Sequence, residues 1–465
     1  MRILPPGAPI LRADEMRVAE QRCFDCGVSQ SELMERASLA VAREVARLGA
    51  GQPVLVLAGP GNNGGDAYGV ARLLRNWGHD VAVAAIGRPK SGAAAANAAA
   101  WQGPVESLEQ VSSRPVLVDG LFGTGMSRAL DAPVAAQLAR LVAAASVSVA
   151  IDIPSGIETD TGLDLGAPDG MTATVALGAL KPAHVLGAGL SKCGHALLAD
   201  IGVEMATDWR SIARPTMQAP KAQAHKYDRG LVVVVAGSMA GASRLAARAA
   251  LHGGAGYVIL AAPEPATSGP DAIVHRTIDG GDALADLLAD PRIGAVVIGP
   301  GLGRDAAAMD LLKAAIGCER DLVIDGDALS LLGGTAAERL RTRNAATLLT
   351  PHSGEFARMF DAAGSKIEAT LAAARNSGAT VIHKGADTVI AWADGKVVVA
   401  SAASSWLSTA GTGDVLAGLV AARHAAGGSA DEAVWLHSRA ARLAGPAFAA
   451  DDLIARIPVA IGECL

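Results

Sequence analysis

The chain is predicted to be an α/β protein built as two doubly wound domains, each a mainly parallel sheet covered by helices on both faces. Three observations predict it. Short runs rich in Val, Ile and Leu alternate with segments of helical period, the pattern of strands buried on both faces and joined by crossover helices. The alternation restarts after a polar stretch at 208–226 that carries Pro215 and Pro220. At 465 residues the chain also exceeds what one hydrophobic core organises, and two domains of roughly 200–250 residues suit its length. The expected division is 1–207, a linker at 208–221, and 222–465.

Taken in order, Ser29 or Ser31 is suited to cap a helix in which Leu33, Ala37, Val41 and Val45 recur every four residues. Glu35, Arg36, Arg43 and Glu44 then face mostly outward. Strands are expected at 54–58, 81–86, 116–118 and 147–153, with helices over 67–77 and 134–144 between them. The alanine-rich tract 93–100 favours helix over disorder. A further strand at 172–179 precedes Lys181. In the second half, runs at 231–236, 257–261, 295–298, 322–324, 347–349, 380–383 and 388–391 supply the second sheet.

Composition narrows the function. A net charge of -6 provides no global basic field for nucleic acid, so an anionic ligand must be held by local backbone sites. With 51% hydrophobic but only 3% aromatic residues, the core is made of Ala, Val and Leu. No apolar stretch reaches the ~20 residues that span a bilayer, and the N-terminus lacks the regions of a signal peptide. A cytoplasmic protein without membrane partners is expected. Cys23, Cys26, Cys193, Cys318 and Cys464 are an odd, scattered set, which argues against a disulfide framework. The Cys23–Cys26 pair invites a redox or zinc reading, but no second pair or histidine stands at ligand spacing, so structural thiols are expected.

In the first half the informative segment is Gly59-Pro60-Gly61-Asn62-Asn63-Gly64-Gly65-Asp66, between a strand and a helix. Gly59, Gly61 and Gly64 satisfy the dinucleotide fingerprint in the correct context. The acidic residue that should close the second strand is missing, since Asp80 precedes that strand. Two asparagines and an aspartate instead add side-chain oxygens suited to a ligand or cation. Two more acidic loops follow strands: Asp119-Gly120-Leu121-Phe122-Gly123-Thr124-Gly125 and Asp152-Ile153-Pro154-Ser155-Gly156. Asp119, Ser155 and Asn63 jointly offer hard oxygens to a monovalent cation, leaving Asp152 for acid or base chemistry. Taken singly, Asp119 and Asp152 also suit Asx-turns, and Lys181 suits either a solvated loop or the site.

Near the C-terminus, Ser408-Thr409-Ala410-Gly411-Thr412-Gly413-Asp414 precedes an apolar helix. Backbone N–H groups at a helix start attract anions, and Gly411 and Gly413 let a phosphate approach. Asp414 is then placed to take a proton from a hydroxyl that attacks that phosphate. In isolation Gly411-Thr412-Gly413-Asp414 fits a turn with Asp414 as N-cap. His352 and Glu355, in Thr-Pro-His-Ser-Gly-Glu, follow a strand end. Substrate contact is expected for His352, although Pro351 and Glu355 also suit a helix start. Asp325 and Asp327 suit either the magnesium side of a site or a structural role.

The loops of the first half, Gly61 through Asp66, Asp119 through Gly125 and Asp152 through Gly156, resemble the NAD(P)HX epimerase domain. The second half has Gly299-Pro300-Gly301-Leu302-Gly303, Thr350 through Glu355, His383-Lys384-Gly385 and Gly411 through Asp414. It resembles the ADP-dependent NAD(P)HX dehydratase. The joint order is similar to the bacterial fusion of the two, over nearly the whole chain. The resemblance implies a Rossmann-like three-layer sandwich followed by a ribokinase-like one.

It also implies roles, residue by residue. Asn62, Asn63, Gly64, Gly65 and Asp66 contact the hydrated nucleotide, as do Gly123, Thr124, Gly125, Met126, Ser127, Arg128, Ala129 and Asp152. Asn63, Asp119 and Ser155 bind potassium. In the second domain, Ala242, Gly303, His352 and Asp414 match contacts to the hydrate, while Lys384, Gly385, Ala386, Asp387, Thr388 and Gly413 match the adenine-nucleotide site, with Gly411 and Thr412 in the same turn. Pro60 and Ala67 depart from the family's Gly-Asn-Gly-Asn-Asn-Gly-Gly-Asp-Gly pattern, which bears on loop geometry and the rate of epimerisation. Asp414 is the expected base of the dehydratase, and Asp152, with Lys181 second, the acid/base group of the epimerase. ADP as phosphoryl donor, Mg2+, K+ and NAD(P)HX as substrate follow, with self-association into a homo-oligomer. A small-molecule kinase with a non-catalytic first domain is the alternative, because the glycine turn alone does not separate transfer from transfer followed by elimination.

Overall fold

The computed structural model describes residues 4–264, 269–401 and 403–465. It divides into two compact units, one ending at Ser211 and one spanning Ile212–Leu465.

The strands of the first unit are β1 (Val54–Ala58), β2 (Val81–Ala85), β3 (Val105–Ser107), β4 (Val116–Gly120), β5 (Val147–Ile151), β6 (Ala173–Leu177) and β7 (His195–Ala199). They form one sheet in the order β3-β2-β1-β4-β5-β6-β7, and every neighbouring pair is parallel. Because side chains alternate across a strand, β1 feeds two cores. Val54, Val56 and Ala58 pack with Val41, Val45 and Val70 of helices on one face, while Leu55 and Leu57 join Leu138, Leu141 and Val142 on the other. Each such fully buried aliphatic side chain stabilises the fold by about 1.5–3 kcal/mol.

The strand order reverses between β1 and β4, and at that point the loops leaving the carboxyl ends of the strands splay apart to leave a crevice. Asn62–Asn76 is helical throughout. The Asn-Asn-Gly-Gly-Asp segment, expected as a loop before a helix at 67, is therefore its first turn. Close packing requires glycine at two positions of that turn: a Cβ on Gly64 would stand 1.8 Å from the Gly59 carbonyl oxygen, and one on Gly65 2.5 Å from Ala94 Cβ. Trp209–Ser211, expected within the linker, forms β8, whose Arg210 bridges to Pro9.

In the second unit the strands are β9 (Leu231–Val235), β10 (Tyr257–Ala262), β11 (Ile273–Thr277), β12 (Ile293–Ile298), β13 (Asp321–Ile324), β14 (Thr347–Leu349), β15 (Thr380–His383), β16 (Asp387–Ala391) and β17 (Val397–Ser401). Their order is β11-β10-β9-β12-β13-β14-β15-β16-β17, parallel up to β15 and antiparallel at β15–β16 and β16–β17. Helix Thr412–Ala425 is apolar almost all round, as a helix buried on every side must be. Gly418 lets it lie directly on helix Ala240–His252, since a Cβ there would meet the Ala246 carbonyl oxygen at 2.0 Å. Its N-terminus is thereby fixed beside the reversal of strand order at β9 and β12.

Candidate active sites at the two switch points

In the first unit a cavity of about 440 Å³ opens at the β1–β4 reversal. Among the residues around it are Glu20, Asn62, Asn63, Asp66, Gly123, Thr124, Gly125, Met126, Asp152 and Lys181. Of the residues expected to meet a ligand, Ser127, Arg128 and Ala129 line an adjoining cavity of about 380 Å³ that shares Phe122, Gly125 and Met126 with the first. Gly64 and Gly65 are not in its lining and instead serve the close packing already described.

Asp152 stands at the centre of a buried cluster of ionisable side chains. It holds φ 61, left-handed for a residue with a side chain, at a cost of order 1–3 kcal/mol that its surroundings must offset. Those surroundings are specific. Its Oδ1 accepts from Lys181 Nζ at 2.5 Å and from Leu177 N at 3.0 Å, and Lys181 also donates to the Leu177 carbonyl at 2.9 Å. Lys181 is buried, with 1% of its surface exposed, so the solvated-loop reading does not hold. His184 closes the arrangement: its Nδ1 accepts from Lys181 N at 2.8 Å. Its Nε2, 2.7 Å from the Asp152 carbonyl, then carries the proton. Burial, with the Lys181 charge beside it, lowers the His184 pKa to about 4, so the ring is neutral.

Two more carboxyls face this ion pair. Burial pushes the Asp66 pKa well above the ordinary range, with the negative charges of Asp152 and Glu20 adding to the effect. Burial likewise raises Glu20. Asp66 is thus held towards its protonated form beside the Lys181–Asp152 ion pair, an arrangement that suits acid/base chemistry at one site.

The three residues expected to hold a cation do converge. Ser155 donates to Asp119 from both Oγ (2.7 Å) and N (2.8 Å), and Leu121 N donates to the same carboxylate at 3.2 Å, which is the Asx-turn. Phe122 N donates to Ser155 Oγ, and Asn63 Nδ2 to the Phe122 carbonyl. Asp119 is completely buried and burial raises its pKa against these hydrogen bonds. Among the described residues it has no cationic partner, so this oxygen-rich donor set fits a monovalent cation that would supply the missing countercharge.

In the second unit Gly411 takes φ 91 as the N-cap of helix Thr412–Ala425, placing Asp414 in its first turn. Gly413 faces an ion pair: Lys384 Nζ donates to Asp325 Oδ1 at 2.8 Å, and a Cβ on Gly413 would stand 3.3 Å from that Nζ. Asp327 accepts from Gly303 N at 3.0 Å and from Arg304 Nε at 2.8 Å. Gly301 in the same turn lies against Ala242. Burial, aided by the neighbouring charge of Asp325 and against that of Lys384, raises the Asp414 pKa to about 6. A carboxyl shifted this far titrates close to neutrality, the range in which a general base is most effective. Buried His437, neutral with its pKa lowered to about 4 by burial, lies 3.0 Å by Nε2 from the Thr412 carbonyl and braces this turn.

His352 joins Lys384 through a backbone bridge. It is the N-cap of helix Ser353–Met359, its Nδ1 accepting from Gly354 N and Glu355 N while Glu355 returns a bond to His352 N. The helix-start reading therefore applies to both residues, and the capping fixes the half-exposed ring at the site's edge. Lys384, Gly385, Ala386, Asp387 and Thr388 form the turn into β16, which Lys366 braces by donating to Asp387 Oδ1 (2.6 Å). Among the described residues no three His, Cys, Asp or Glu side chains form a metal cage. A magnesium ion that travels with a diphosphate needs only one or two carboxylates, which Asp325 and Asp327 fit. All five cysteines are free thiols.

Glu20, His184 and Lys366 were not singled out by sequence. Glu20 carried a signal: in helix Ala13–Asp25 it follows buried Met16 by four residues, which sets a carboxyl on the apolar stripe.

Comparison with known proteins agrees with this layout. Residues 30–183 match the family model described as YjeF-related protein N-terminus, and residues 232–462 the one described as NAD(P)H-hydrate dehydratase. The "Bifunctional NAD(P)H-hydrate repair enzyme Nnr" of Mycobacterium tuberculosis is 36% identical over 444 residues, covering 90% of this chain and 90% of that protein. That of Gloeobacter violaceus is 36% identical over 471 residues, covering 93% and 92%. A crystal structure of the ADP/ATP-dependent NAD(P)H-hydrate dehydratase from Bacillus subtilis is 24% identical, with a TM-score of 0.46, covering 54% of this chain and 95% of that one. With relatives at this identity along nearly its whole length, the chain belongs to the family of bifunctional NAD(P)H-hydrate repair enzymes.

Proposed function

We propose that this chain returns hydrated NAD(P)H to service in two steps: the first unit interconverts the R and S hydrates, and the second dehydrates the S form at the expense of ADP. NAD(P)H that has added water to its ring has lost the hydride-donating enamine, and hydroxide leaves too poorly to restore it. In the second unit Asp414 removes the hydroxyl proton as the oxygen attacks the terminal phosphorus of ADP; the new O–P bond replaces the one to AMP. The amides of the Gly411–Thr412–Gly413 turn and the Lys384 ammonium stabilise the charge on the moving group. Phosphate then departs with the C–O electron pair, the ring nitrogen lone pair assists, and loss of a ring proton regenerates the dihydropyridine. Ala242, Gly303 and His352 border the hydrate, and Lys384 through Thr388 the adenine nucleotide, with Asp325 and Asp327 available to its magnesium.

The first unit has a reason to accompany the second, because one chiral site presents only one epimer's hydroxyl to its base. Asp152 and Lys181 act as its acid/base pair around the cavity, and Asn63, Asp119 and Ser155 hold potassium, whose charge offsets that of the buried Asp119. Among the described residues no helix is long and apolar enough to cross a membrane, and a nucleotide pool in the cytoplasm is the place for this reaction. Exposed Met239, Trp406 and Val459 suit self-association into a homo-oligomer.

The observation that carries the reading is the carboxyl with a pKa of about 6 at a glycine-opened helix start that faces the Lys384–Asp325 pair. Incubating a mixed R and S hydrate with ADP, Mg2+ and K+ tests it. Recovery of the dihydronicotinamide absorbance from the whole pool supports the proposal; recovery that stops at one epimer removes the epimerase, and no recovery removes the dehydratase.

A further inference from the structure

Glu20 borders the cavity at the β1–β4 reversal and has no part in the chemistry above. It belongs to helix Ala13–Asp25, where Met16, Glu20 and Phe24 recur at four-residue spacing and all reach the cavity. Asp66, Asp152 and Lys181 reach the same cavity from the segments that leave the carboxyl ends of β1, β5 and β6. The Glu20 carboxyl is close enough to Lys181 and Asp152 for their charges to act on it, and its own charge acts on Asp66. Among the described residues it has no hydrogen-bond or ion-pair partner. A half-buried carboxyl without a partner in the protein is open to a ligand in the cavity. Burial raises its pKa, with the charge of Asp152 adding and those of Lys181 and Arg17 opposing. It therefore keeps a proton closer to neutrality than a solvated glutamate does.

Inversion of the hydrate needs proton transfer on both faces of one carbon. Water adds to an enamine at the carbon next to nitrogen, so the hydroxyl sits where the ring nitrogen lone pair can expel it. Asp152, paired with Lys181, serves one face. We propose that Glu20 is the second proton carrier of the epimerase, acting on the face of the ring opposite to Asp152. The inference rests on the proposed epimerisation. In one direction Glu20 gives its proton to the hydroxyl oxygen as the C–O bond breaks; the bond pair leaves on oxygen as water, and the nitrogen lone pair forms a C=N bond. A water then adds to the other face of that carbon, the C=N pair returns to nitrogen, and Asp152 takes the proton that the water loses. One water leaves and one enters, and the proton passes from Glu20 to Asp152; the reverse direction returns it. Asp66, held well above the ordinary carboxyl range by burial, keeps its proton and does not cycle it.

The test measures R–S exchange on the full chain by chromatography of the two epimers. Glu20→Gln, which keeps the size of the side chain but not the acid, is expected to lower kcat for exchange by roughly 10²-fold with KM held. Glu20→Ala, which vacates the place of the carboxyl, is expected to lose as much and to regain part of it in added formate, a response that a merely structural glutamate does not give. Dehydration of purified S hydrate stays unchanged in both variants because it belongs to the second unit, and an unchanged thermal transition establishes that folded proteins are compared. Exchange at full rate in Glu20→Gln, a raised KM with kcat held, or a slow Glu20→Ala variant that formate does not help would overturn the assignment. Failure of the unaltered protein to exchange the epimers would instead overturn the reading beneath it.

Discussion

Replacing Asp414 by Asn is predicted to abolish dehydration and, at neutral pH, to stabilise the second unit. Ionising a carboxyl whose pKa has moved from 3.8 to about 6 works against the native state by about 3 kcal/mol once the group is charged. Asp414 is partly exposed, and screening by solvent reduces this to roughly 1–2 kcal/mol. The sign follows from the raised value. The native state binds the proton more tightly than the unfolded chain, so the penalty is absent below pH 3.8, grows between 3.8 and about 6, and is complete above. Asparagine carries no charge at any of these values. In a domain of this size each kcal/mol moves the melting temperature by about 2–4 °C, so calorimetry at pH 7.5 is expected to place the variant's transition about 2–8 °C higher. The two proteins converge as the pH falls towards 4. In the dehydration assay the loss of a general base amounts to roughly 10²–10⁴-fold. A variant that dehydrates at full rate, or whose stability difference ignores pH, refutes the assignment of this carboxyl as a desolvated base.

The same raised value predicts that dehydration by the unaltered protein climbs with pH through about 6, read from kcat/KM across pH 5–8; a flat profile excludes Asp414 as the group that titrates. Asp152→Asn is expected to slow R–S exchange by roughly 10²–10⁴-fold while dehydration of purified S hydrate is untouched, followed by chromatography of the two epimers. Gly123→Ala places a Cβ about 3.0 Å from Asn63 Cγ and is expected to raise the potassium concentration needed for half-maximal exchange; an unchanged requirement separates Asn63 from the cation.

Much of this was legible because the informative segments are local. The β-branched runs that became β1, β4, β5 and β9 are continuous, and the Asp-bearing loops follow them directly, so their place on the ligand edge came from chain order alone. What escaped is long-range. The Lys384–Asp325 pair spans 59 residues, and no periodicity indicates it. Lys181 is a polar residue in a connecting segment, and only packing of that segment onto β6 and Asp152 buries it. The left-handed conformation of Asp152 is invisible for the same reason, since intrinsic preference argues against it and the contacts with Lys181, Leu177 and His184 override that preference. The first turn of helix Asn62–Asn76 was read as loop because Gly and Asn disfavour helix, although Gly64 and Gly65 are present so that backbones can touch. Short edge strands such as β3 and β7 have polar or mixed sequences that carry little signal. In the second unit β17 lies outside the expected strands, although the Asp394-Gly395 turn before it is a hairpin cue.

The most direct test follows phosphorus and hydride-donating capacity together. With purified S hydrate and limiting ADP, phosphorus NMR and dihydronicotinamide absorbance are expected to show one AMP and one inorganic phosphate for each NAD(P)H regained. A phosphorylated nucleotide that persists, with no absorbance restored, would mean that the second unit is a kinase and that elimination is not its chemistry.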